Sequence, residues 1–415
     1  MDRTLLVLGA GSDQVFLMKT ARSMGLRVIA VDMNPRARGF AFADEYAPVS
    51  TGDFDGIVSF AEHCALRGHR ISGVMTMGSD IPEMVASVAA RFGLPGIALE
   101  SASLAKDKYA MKARFLEKEI PVPQFRKIFT PEELRLTVRE LGLPLVLKPV
   151  DSSGSRGVFL LERHSDIEPL FEKSKPYSRS GALLAEEYLK GLQISTETIM
   201  SRSKGVTPGF ADRNYDDLGR FLPQIMENGG WVPSSLNERE REEVEALVER
   251  ASLALGITDG VTKGDVVMTA EGPKIIEMAA RLSGGDFCES LVPLSAGVNY
   301  VKAAVSIALG EEPDLSGLRP KFSKAVVNRY FFPPPGRLIS IEGAEEIRRH
   351  DWLKKLEFWY SPGDLIPPAL SHAHRFGVFV AVADTREEAD ERARLVYETV
   401  RIRTEPTGTD YAKAS

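Results

Sequence analysis

Short apolar runs alternate with helical patterns at the start of the chain, and no other feature limits the fold as strongly. Residues 4–8 are apolar and lead into Gly9-Ala10-Gly11, and a helical pattern separates them from a second apolar run at 27–31. A strand, a glycine turn, a helix and a second strand form a parallel β-α-β unit. The same succession recurs at 73–92. Residues 1–105 therefore predict a small parallel α/β domain of the Rossmann-like type.

The length of the chain and the positions of its prolines indicate how the rest of the chain is divided into domains. A chain of 415 residues exceeds what one ordinary hydrophobic core supports, so several domains are expected. Helical patterns cover 106–119 and 238–255. The proline-rich stretch at 332–336 precedes a last unit, in which strand patterns at 355–360 and 376–383 are followed by a helix at 386–400. We predict a multidomain α/β and α+β fold with a parallel α/β domain at 1–105, a central domain at 106–312, a small C-terminal α+β domain at 313–405 and a polar tail at 406–415.

Charge and cysteine content exclude several classes of function. The net charge is −6 and the pI is about 5.7, so no global positive potential attracts nucleic acid or an anionic membrane. Cys64 and Cys288 lie far apart in sequence, which fits neither a disulfide framework nor a cysteine-rich metal site. No apolar stretch approaches the length of a membrane span, and the N-terminus lacks a signal-peptide pattern. We expect a cytoplasmic protein that binds neither nucleic acid nor membrane.

The glycine turn near the N-terminus suggests a dinucleotide site, but only weakly. A dinucleotide fingerprint places a third glycine where this chain has Gln14, although Asp32 does end the second strand. A tight turn in an ordinary α/β unit explains Gly9 and Gly11 equally well. A nicotinamide-dependent oxidoreductase therefore remains an alternative of low weight.

A lysine followed by a glycine- and serine-rich loop lies in the middle of the chain. Lys148 ends an apolar strand pattern, and the loop at 151–157 joins it to a second strand. Small residues let backbone N–H groups curl around phosphate oxygens, and a neighbouring lysine adds a positive charge. The loop residues predicted to contact phosphate are Ser152, Ser153, Gly154, Ser155 and Gly157. A plain β-hairpin with an exposed loop is the alternative that this segment alone leaves open.

Two acidic residues on consecutive strand patterns make the phosphate interpretation more specific. Asp265 and Glu277 are separated by a turn that contains Gly272 and Pro273. If the strands pair as a hairpin, both carboxylates can face one side and bind the Mg²⁺ that bridges ATP phosphates. Arg281 follows four residues after Glu277 and can offer a bidentate contact to a phosphoryl or carboxylate oxygen. The residues around Glu277 are apolar, which argues against a merely solvated acidic hairpin.

These elements, taken in order, resemble the signature of the ATP-grasp superfamily. The resemblance rests on Lys108 in the segment 107–112, Lys148 with its loop, Glu186-Glu187-Tyr188-Leu189, Asp265, Glu277 and Arg281. It covers most of the chain, with an N-terminal pre-ATP-grasp domain, the ATP-grasp domain and a C-terminal domain. Segments 362–377 and 385–389 resemble the end of the L-amino-acid ligases, which belong to the biotin-carboxylase-like branch.

The resemblance implies ATP and Mg²⁺ as cofactors and assigns roles to particular residues. Asp265 and Glu277 would bind Mg²⁺, and Arg281 and Lys148 would be the catalytic residues, with Arg281 stabilising the acyl phosphate or tetrahedral intermediate. Loop 151–157 would close over the phosphates, and residues 186–189 would contact adenine. The residues implied to bind ATP are Lys108, Lys148, Ser152, Ser153, Gly154, Ser155, Gly157, Glu186, Glu187, Leu189 and Gln193.

The chain departs from the family pattern at three positions. Ala279 occupies a position where the family usually has asparagine, so a second Mg²⁺ would lose a ligand or recruit water. Gln193 replaces an acidic residue that often binds the ribose, and it still offers hydrogen bonds without a charge. Asp265 replaces the commoner glutamate. The lysines, carboxylates and arginine are present, which favours an active enzyme over an inactive relative.

The sequence indicates a function but not its substrates. Arg213 is a candidate for binding a substrate carboxylate, and Ser283, Gly284 and Gly285 are candidates for the acceptor side. We predict a carboxylate–amine ligase that acts through an acyl phosphate on small molecules and releases ADP and phosphate; by resemblance it could form a homodimer. A carboxylase or formate-using enzyme of purine-type metabolism and a non-catalytic ATP-binding protein remain alternatives.

Overall fold

The structure, a computed structural model, describes residues 3–407. Most of the predicted polar tail at 406–415 therefore lies outside the described residues. No helix within 3–407 has both the length and the apolar character that crossing a membrane requires. The helices, in chain order, are α1 (Ser12–Ser23), α2 (Phe54–Leu66), α3 (Pro82–Phe92), α4 (Leu99–Lys106), α5 (Lys108–Glu117), α6 (Pro131–Leu141), α7 (Ile167–Ser174), α8 (Leu218–Phe221), α9 (Glu238–Ala254), α10 (Val292–Ala296), α11 (Val301–Ala308), α12 (Ala344–Ile347) and α13 (Arg386–Thr399).

The strands account for the mixed α/β and α+β architecture that the sequence predicts. In chain order they are β1 (Arg3–Leu8), β2 (Arg27–Val31), β3 (Glu45–Ala47), β4 (Arg70–Met75), β5 (Phe125–Ile128), β6 (Leu145–Pro149), β7 (Phe159–Leu161), β8 (Leu183–Glu187), β9 (Leu192–Ser201), β10 (Lys204–Arg213), β11 (Gly230–Val232), β12 (Gly260–Thr269), β13 (Gly272–Ala279), β14 (Ala325–Phe331), β15 (Gly336–Glu342), β16 (Leu353–Phe358), β17 (Leu365–Ile366), β18 (Gly377–Ala383) and β19 (Arg401–Glu405).

The described chain divides into two compact units. The first comprises the described residues up to Val122 together with Ile194–Phe210 and Leu236–Lys321. The second comprises Pro123–Gln193, Ala211–Ser235 and the described residues from Phe322 onward. Each unit is thus assembled from three separate stretches of chain. The division into three domains remains a prediction from the sequence, whereas the structure groups the chain into these two units.

The first unit opens with the predicted parallel sheet, in the order β3-β2-β1-β4. Its apolar strands are buried between helices, which is the usual state of a parallel sheet. The amide of Gln14 occupies the glycine turn after β1: a Cβ added at Gly9 or Gly11 would lie 3.2 Å from that side chain. Gln14 also donates a hydrogen bond to the Ser79 hydroxyl at 3.2 Å. The turn is therefore filled by protein atoms, in keeping with the low weight given to a dinucleotide site.

The first unit also contains the acidic hairpin that the sequence predicts. Strands β12 and β13 pair antiparallel, and their sheet continues through β9 and β10. Helix α9 packs against this hairpin with buried residues such as Val244, Leu247 and Val248. Asn237 and Glu240 form a capping box at its N-terminus, which fixes where the helix begins.

The second unit contains an antiparallel sheet in the order β5-β8-β6-β7, covered by α6 and α7 around a core that includes Leu147, Phe171 and Leu183. It also contains the strands β11-β14-β18-β16 and the small sheet β17-β15-β19. Helix α13 packs on β14 and β18. The Thr385 hydroxyl accepts a hydrogen bond from the Glu388 N–H at 3.2 Å, which confirms the N-terminus predicted for this helix.

One predicted helix differs from the structure. The sequence suggested a continuous helix over 106–119, whereas the structure ends α4 at Lys106 and begins α5 at Lys108. The Asp107 carboxylate accepts hydrogen bonds from the N–H groups of Tyr109 at 2.8 Å and Ala110 at 2.9 Å. This cap satisfies the first free N–H groups of α5 and so begins a new helix at that point.

Candidate active site

The two predicted metal-binding acids of the first unit are direct partners across the β12–β13 hairpin. Asp265 lies opposite Glu277 in the strand register, and a β-bulge follows Asp265. Residues that face each other across an antiparallel pair project from the same side of the sheet. The prediction that the strands pair and bring both acids to one face is confirmed.

Cations from two directions contact this acidic pair. The Lys108 Nζ lies 3.0 Å from a Glu277 carboxylate oxygen. The Asp265 carboxylate accepts a hydrogen bond from the Ser195 hydroxyl at 2.9 Å and another from the Lys263 ammonium. These contacts offset part of the cost of removing two carboxylates from water. Oxygen ligands of this kind are what Mg²⁺ selects, so the donor set fits that ion.

The acidic pair can supply two protein ligands to a metal ion, which do not complete its coordination sphere. Within residues 3–407 no group of three or more histidine, cysteine, aspartate or glutamate side chains is arranged to hold a metal ion. Mg²⁺ in phosphate-transferring sites typically uses one or two carboxylates together with substrate phosphates and water. The geometry is therefore that of a site that would share its ion with a substrate.

Helix α5 fixes the position of Lys108 beside Glu277. Lys112 lies one turn further along the same face of the helix, and its ammonium donates to the backbone carbonyl of Ile276 at 2.7 Å. The side chains of both lysines are almost completely buried. Two lysines one turn apart thus hold the helix against the strand that carries Glu277. Sequence reasoning assigned a role to Lys108 but did not predict this contact of Lys112.

Arg281 lies beside a carboxylate that sequence reasoning missed. Its Nε is 3.9 Å from an oxygen of Asp80, and the Lys106 Nζ contacts Asp80 at 2.8 Å. Burial by itself raises the pKa of Asp80, but the charges of Lys106 and Arg281 outweigh it and hold the pKa below its ordinary value. Asp80 follows β4, and an acid just beyond a parallel strand is the signal that could have identified it.

The three residues predicted for the acceptor side lie just beyond β13. The Ser283 N–H donates to the buried Glu197 carboxylate at 2.8 Å. Gly284 has no room for a side chain, because an added Cβ would lie 2.5 Å from an Asp13 carboxylate oxygen. Gly285 has a φ of +65°, a conformation that favours glycine. Glu197 is a second carboxylate that sequence reasoning missed.

In the second unit Lys148 forms a buried ion pair with Glu186. Lys148 lies on β6 and Glu186 on the neighbouring strand β8, and both side chains are almost fully buried. The register places Val146, two residues before Lys148, opposite Glu186, so the pair is diagonal on one face. The sequence assigned these residues separate roles and did not predict that they contact each other.

The predicted phosphate loop connects two paired strands of the same sheet. Leu147 pairs with Phe159, so residues 151–157 form the end of a β-hairpin. Gly154, Ser155 and Gly157 all have positive φ angles, between +56° and +69°. The Asp151 carboxylate accepts hydrogen bonds from the N–H groups of Arg179 and Ser180 at 3.2 and 3.0 Å, which anchors one end of the loop. The hairpin and the phosphate interpretations are therefore compatible.

The residues predicted to contact adenine and ribose follow directly in sequence. Glu187 ends β8, and its N–H donates to the Gln124 carbonyl at 2.9 Å. Leu189 is buried, and Gln193 is half-buried near the start of β9. Their nucleotide contacts stay predictions.

Arg213 is part of a charged cluster in the second unit. Its Nε lies 2.9 Å from the Glu227 carboxylate, and an Arg375 nitrogen lies 3.5 Å from the other Glu227 oxygen. Burial raises the pKa of Glu227, but the charges of Arg213 and Arg375 outweigh it and bring the pKa to about 2. The Arg375 guanidinium also lies 3.6 Å from the centre of the Tyr330 ring. Glu227 and Arg375 escaped sequence reasoning because the contact spans 148 residues.

Comparisons with known proteins identify the family of two parts of the chain. Residues 105–285 match the family model of the ATP-grasp domain. The chain therefore contains an ATP-grasp domain and is similar to ATP-grasp ligases. Residues 329–405 match the model described as L-amino acid ligase C-terminal domain 2, so the chain carries the C-terminal domain of the L-amino-acid ligase branch.

Individual relatives and solved structures fit the same class. The D-alanine–D-alanine ligase of Bordetella avium is 27% identical over 221 residues, which cover 51% of this chain and 68% of that protein. The L-amino acid ligase of Bacillus licheniformis has a TM-score of 0.82 at 19% identity, covering 97% of this chain and 99% of that one. The biotin carboxylase domain of the Hydrogenobacter thermophilus 2-oxoglutarate carboxylase, solved with MgADP and bicarbonate, has a TM-score of 0.73 at 18% identity and covers 96% and 90%. At these identities the two structures establish a shared fold.

Proposed function

We propose that this chain uses Mg-ATP to convert a small carboxylate, such as an amino acid, to an acyl phosphate and then joins it to an amine. The observation that carries the proposal is the pairing of Asp265 with Glu277 on one face of a hairpin, with Lys108 at 3.0 Å from Glu277. Two carboxylates and a lysine at one place suit a Mg²⁺ ion shared with phosphate.

The chemistry proceeds in two balanced steps. A carboxylate oxygen attacks the γ-phosphorus of ATP, the bond to the β-phosphate oxygen breaks, and ADP leaves. The amine nitrogen then attacks the acyl carbon, loses a proton and expels inorganic phosphate, which leaves an amide. Such transfers depend mainly on positioning and on neutralising charge, and the bound Mg²⁺ supplies part of that neutralisation.

Each candidate residue has a role in this scheme. Asp265 and Glu277 hold Mg²⁺, Lys108 and Lys148 contact phosphate oxygens, and Arg281 stabilises the acyl phosphate. Contacts to the nucleotide come from the backbone of loop 151–157, from residues 186–189 and from Gln193. Arg213 and the segment 283–285 contact the substrates. Arg281 is suited to its role because its Nε makes no hydrogen bond within 3–407 and its guanidinium can turn towards a developing negative charge.

The proposed domain division, location, oligomeric state and ligands are those expected of a ligase of this class. We propose domains at 1–105, 106–312 and 313–405, a cytoplasmic location and a homodimeric state. ATP, Mg²⁺ and two small-molecule substrates are the expected ligands.

A substrate matrix tests the proposal. ADP release is measured for the purified chain with Mg-ATP and pairs of amino acids, other small carboxylates and amines, with hydroxylamine added in a parallel series. Hydroxylamine traps an acyl phosphate as a hydroxamate, so hydroxamate that requires both ATP and one carboxylate supports the proposal.

Two results would contradict it. ADP release that depends on bicarbonate or formate alone favours the carboxylase alternative. Binding of ATP without turnover for every pair favours a non-catalytic ATP-binding protein.

A further inference from the structure

Glu197 is a buried carboxyl group whose role is not explained by the metal or phosphate sites. It lies on β9 with no exposed surface. Burial raises the pKa of Glu197, although the Ser283 hydrogen bonds and the more distant charges of Arg281 and Lys263 act in the opposite direction. The carboxyl group contacts its surroundings through hydrogen bonds.

The carboxyl group binds the backbone just beyond the end of β13. That strand ends at Ala279, so Ser283 cannot satisfy its backbone groups in the hairpin. Instead its N–H donates to Glu197 at 2.8 Å, and its carbonyl accepts from the Cys288 thiol at 2.9 Å. Burial raises the pKa of Cys288 well above its ordinary value, which preserves the S–H donor. Two side chains thus hold both backbone polar groups of Ser283.

The opposite side of the same segment is also fixed. The Gly78 N–H donates to the Leu282 carbonyl at 3.0 Å. An ideal Cβ at Gly284 would lie 3.1 Å from the Gly78 Cα as well as against Asp13. The segment 282–284 therefore runs between the Glu197–Cys288 pair and the turn at Gly78. Loss of the Glu197 hydrogen bond would remove the contact to the Ser283 N–H that holds one side of the segment.

We propose that Glu197 is a positioning residue that holds segment 283–285 in the conformation that receives the acceptor amine. The inference rests on the proposed function, in which this segment lines the acceptor side. Glu197 acts through the Ser283 peptide and does not touch the reacting atoms. Substitution of Glu197 should therefore change the KM for the amine and leave the KM values for ATP and the carboxylate almost unchanged.

Two substitutions of similar volume test this role. Glu197→Gln keeps a carbonyl oxygen that can accept from Ser283, whereas Glu197→Met removes the acceptor. We expect the KM for the amine to stay within about twofold in Glu197→Gln and to rise about tenfold in Glu197→Met, equivalent to about 1.4 kcal/mol. The KM values for ATP and carboxylate should change less than about twofold in both. Hydroxamate formation, which bypasses the acceptor amine, should match the wild type.

The outcomes separate this inference from the proposed function. An unchanged amine KM in folded Glu197→Met, or an equal rise in all three KM values, overturns the positioning role. If wild-type protein forms no hydroxamate with any carboxylate, the proposed function fails instead. Should Glu197→Met not fold, Cys288→Ala decides, because it removes the second contact to Ser283: a selective rise in the amine KM supports the role, and an unchanged value contradicts it.

Discussion

Lys148 and Glu186 form an ion pair in which both side chains are buried, so a role in catalysis must be separated from a role in folding. Lys148→Met should lower turnover by at least about a hundredfold if the ammonium contacts phosphate. It should also lower the free energy of unfolding by about 3–5 kcal/mol, because Glu186 is left buried without its cation. Turnover and urea unfolding on the same preparation measure both effects.

A double substitution supplies the control for this pair. Lys148→Met with Glu186→Gln removes both charges and should recover most of the stability but none of the turnover. Recovery of turnover together with stability would mean that Lys148 only balances Glu186.

Glu277 provides a test of the metal assignment. Glu277→Gln keeps the shape of the side chain but removes one anionic ligand, so the Mg²⁺ concentration for half-maximal activity should rise about tenfold or more. Glu271→Gln is the matched control, because Glu271 lies on the turn of the same hairpin and is exposed. A Mg²⁺ titration of each variant measures the effect. Equal curves for the wild type and both variants would remove Glu277 from the metal site.

Glu227 should make stability depend on acid pH. Its pKa is about 2 in the folded protein against an ordinary value of 4.5, so the stabilisation is present above about pH 4.5 and is lost as the pH falls towards 2. The full effect is about 3 kcal/mol. Glu227→Gln should therefore be less stable than the wild type near pH 7, and the difference should shrink below about pH 4.5. Urea unfolding at several pH values measures it; a difference independent of pH contradicts the ion-pair account.

Some of these residues could be predicted from sequence and others could not, for a physical reason. Asp265 and Glu277 lie on one hairpin with a short turn. The strand patterns and the turn residues are therefore enough to predict that the two acids lie close together. Lys108 reaches Glu277 across 169 residues, and Arg375 reaches Glu227 across 148. Glu197 acquires its role through Ser283, 86 residues away, and Glu227 pairs with the distant Arg375 as well as the nearer Arg213. Local patterns carry no information about these contacts.

The loop between β6 and β7 contains two glycines with positive φ angles, Gly154 and Gly157. Gly157 has a φ of +68°, and an added Cβ would lie 2.8 Å from a Tyr177 ring carbon. Gly157→Ala should therefore distort the loop and raise the KM for ATP about tenfold while the sheet beneath remains folded. Steady-state kinetics and a melting curve measure the two effects.

Gly154 is the matched control for this loop. It has a similar φ of +69°, but a Cβ there would meet no atom within 4 Å. Gly154→Ala should thus show only the cost of the backbone conformation, about 1 kcal/mol, and a smaller change in KM. Equal effects of the two substitutions would mean that the contact with Tyr177 is unimportant.

Helices with strong terminal signals were the elements easiest to predict. The predicted helices at 238–255 and 386–400 differ by one residue from α9 and α13, whose N-termini carry side-chain caps. The split between α4 and α5 was missed because Asp107 lies within a continuous helical pattern, and only its side-chain hydrogen bonds reveal a new N-terminus. Local periodicity predicts that a helix exists better than where it is interrupted.

At the scale of the whole molecule, the order of elements was predictable and their grouping was not. The N-terminal β-α-β pattern predicted a parallel sheet, and the structure confirms it. Each compact unit draws on three separate stretches of chain, whereas composition and proline content mark only points along the sequence. Which stretches pack together is set by buried side chains from distant segments.

The central claim is that the carboxylate is activated by phosphoryl transfer, and isotope transfer tests it most directly. The chain is incubated with Mg-ATP, an amine and a carboxylate labelled with ¹⁸O in both oxygens, using a pair that supports ADP release. An acyl phosphate intermediate requires one labelled oxygen to appear in each molecule of inorganic phosphate formed, with one amide and one ADP released alongside. Mass spectrometry of the phosphate measures the transfer. Unlabelled phosphate accompanied by amide formation would contradict the account.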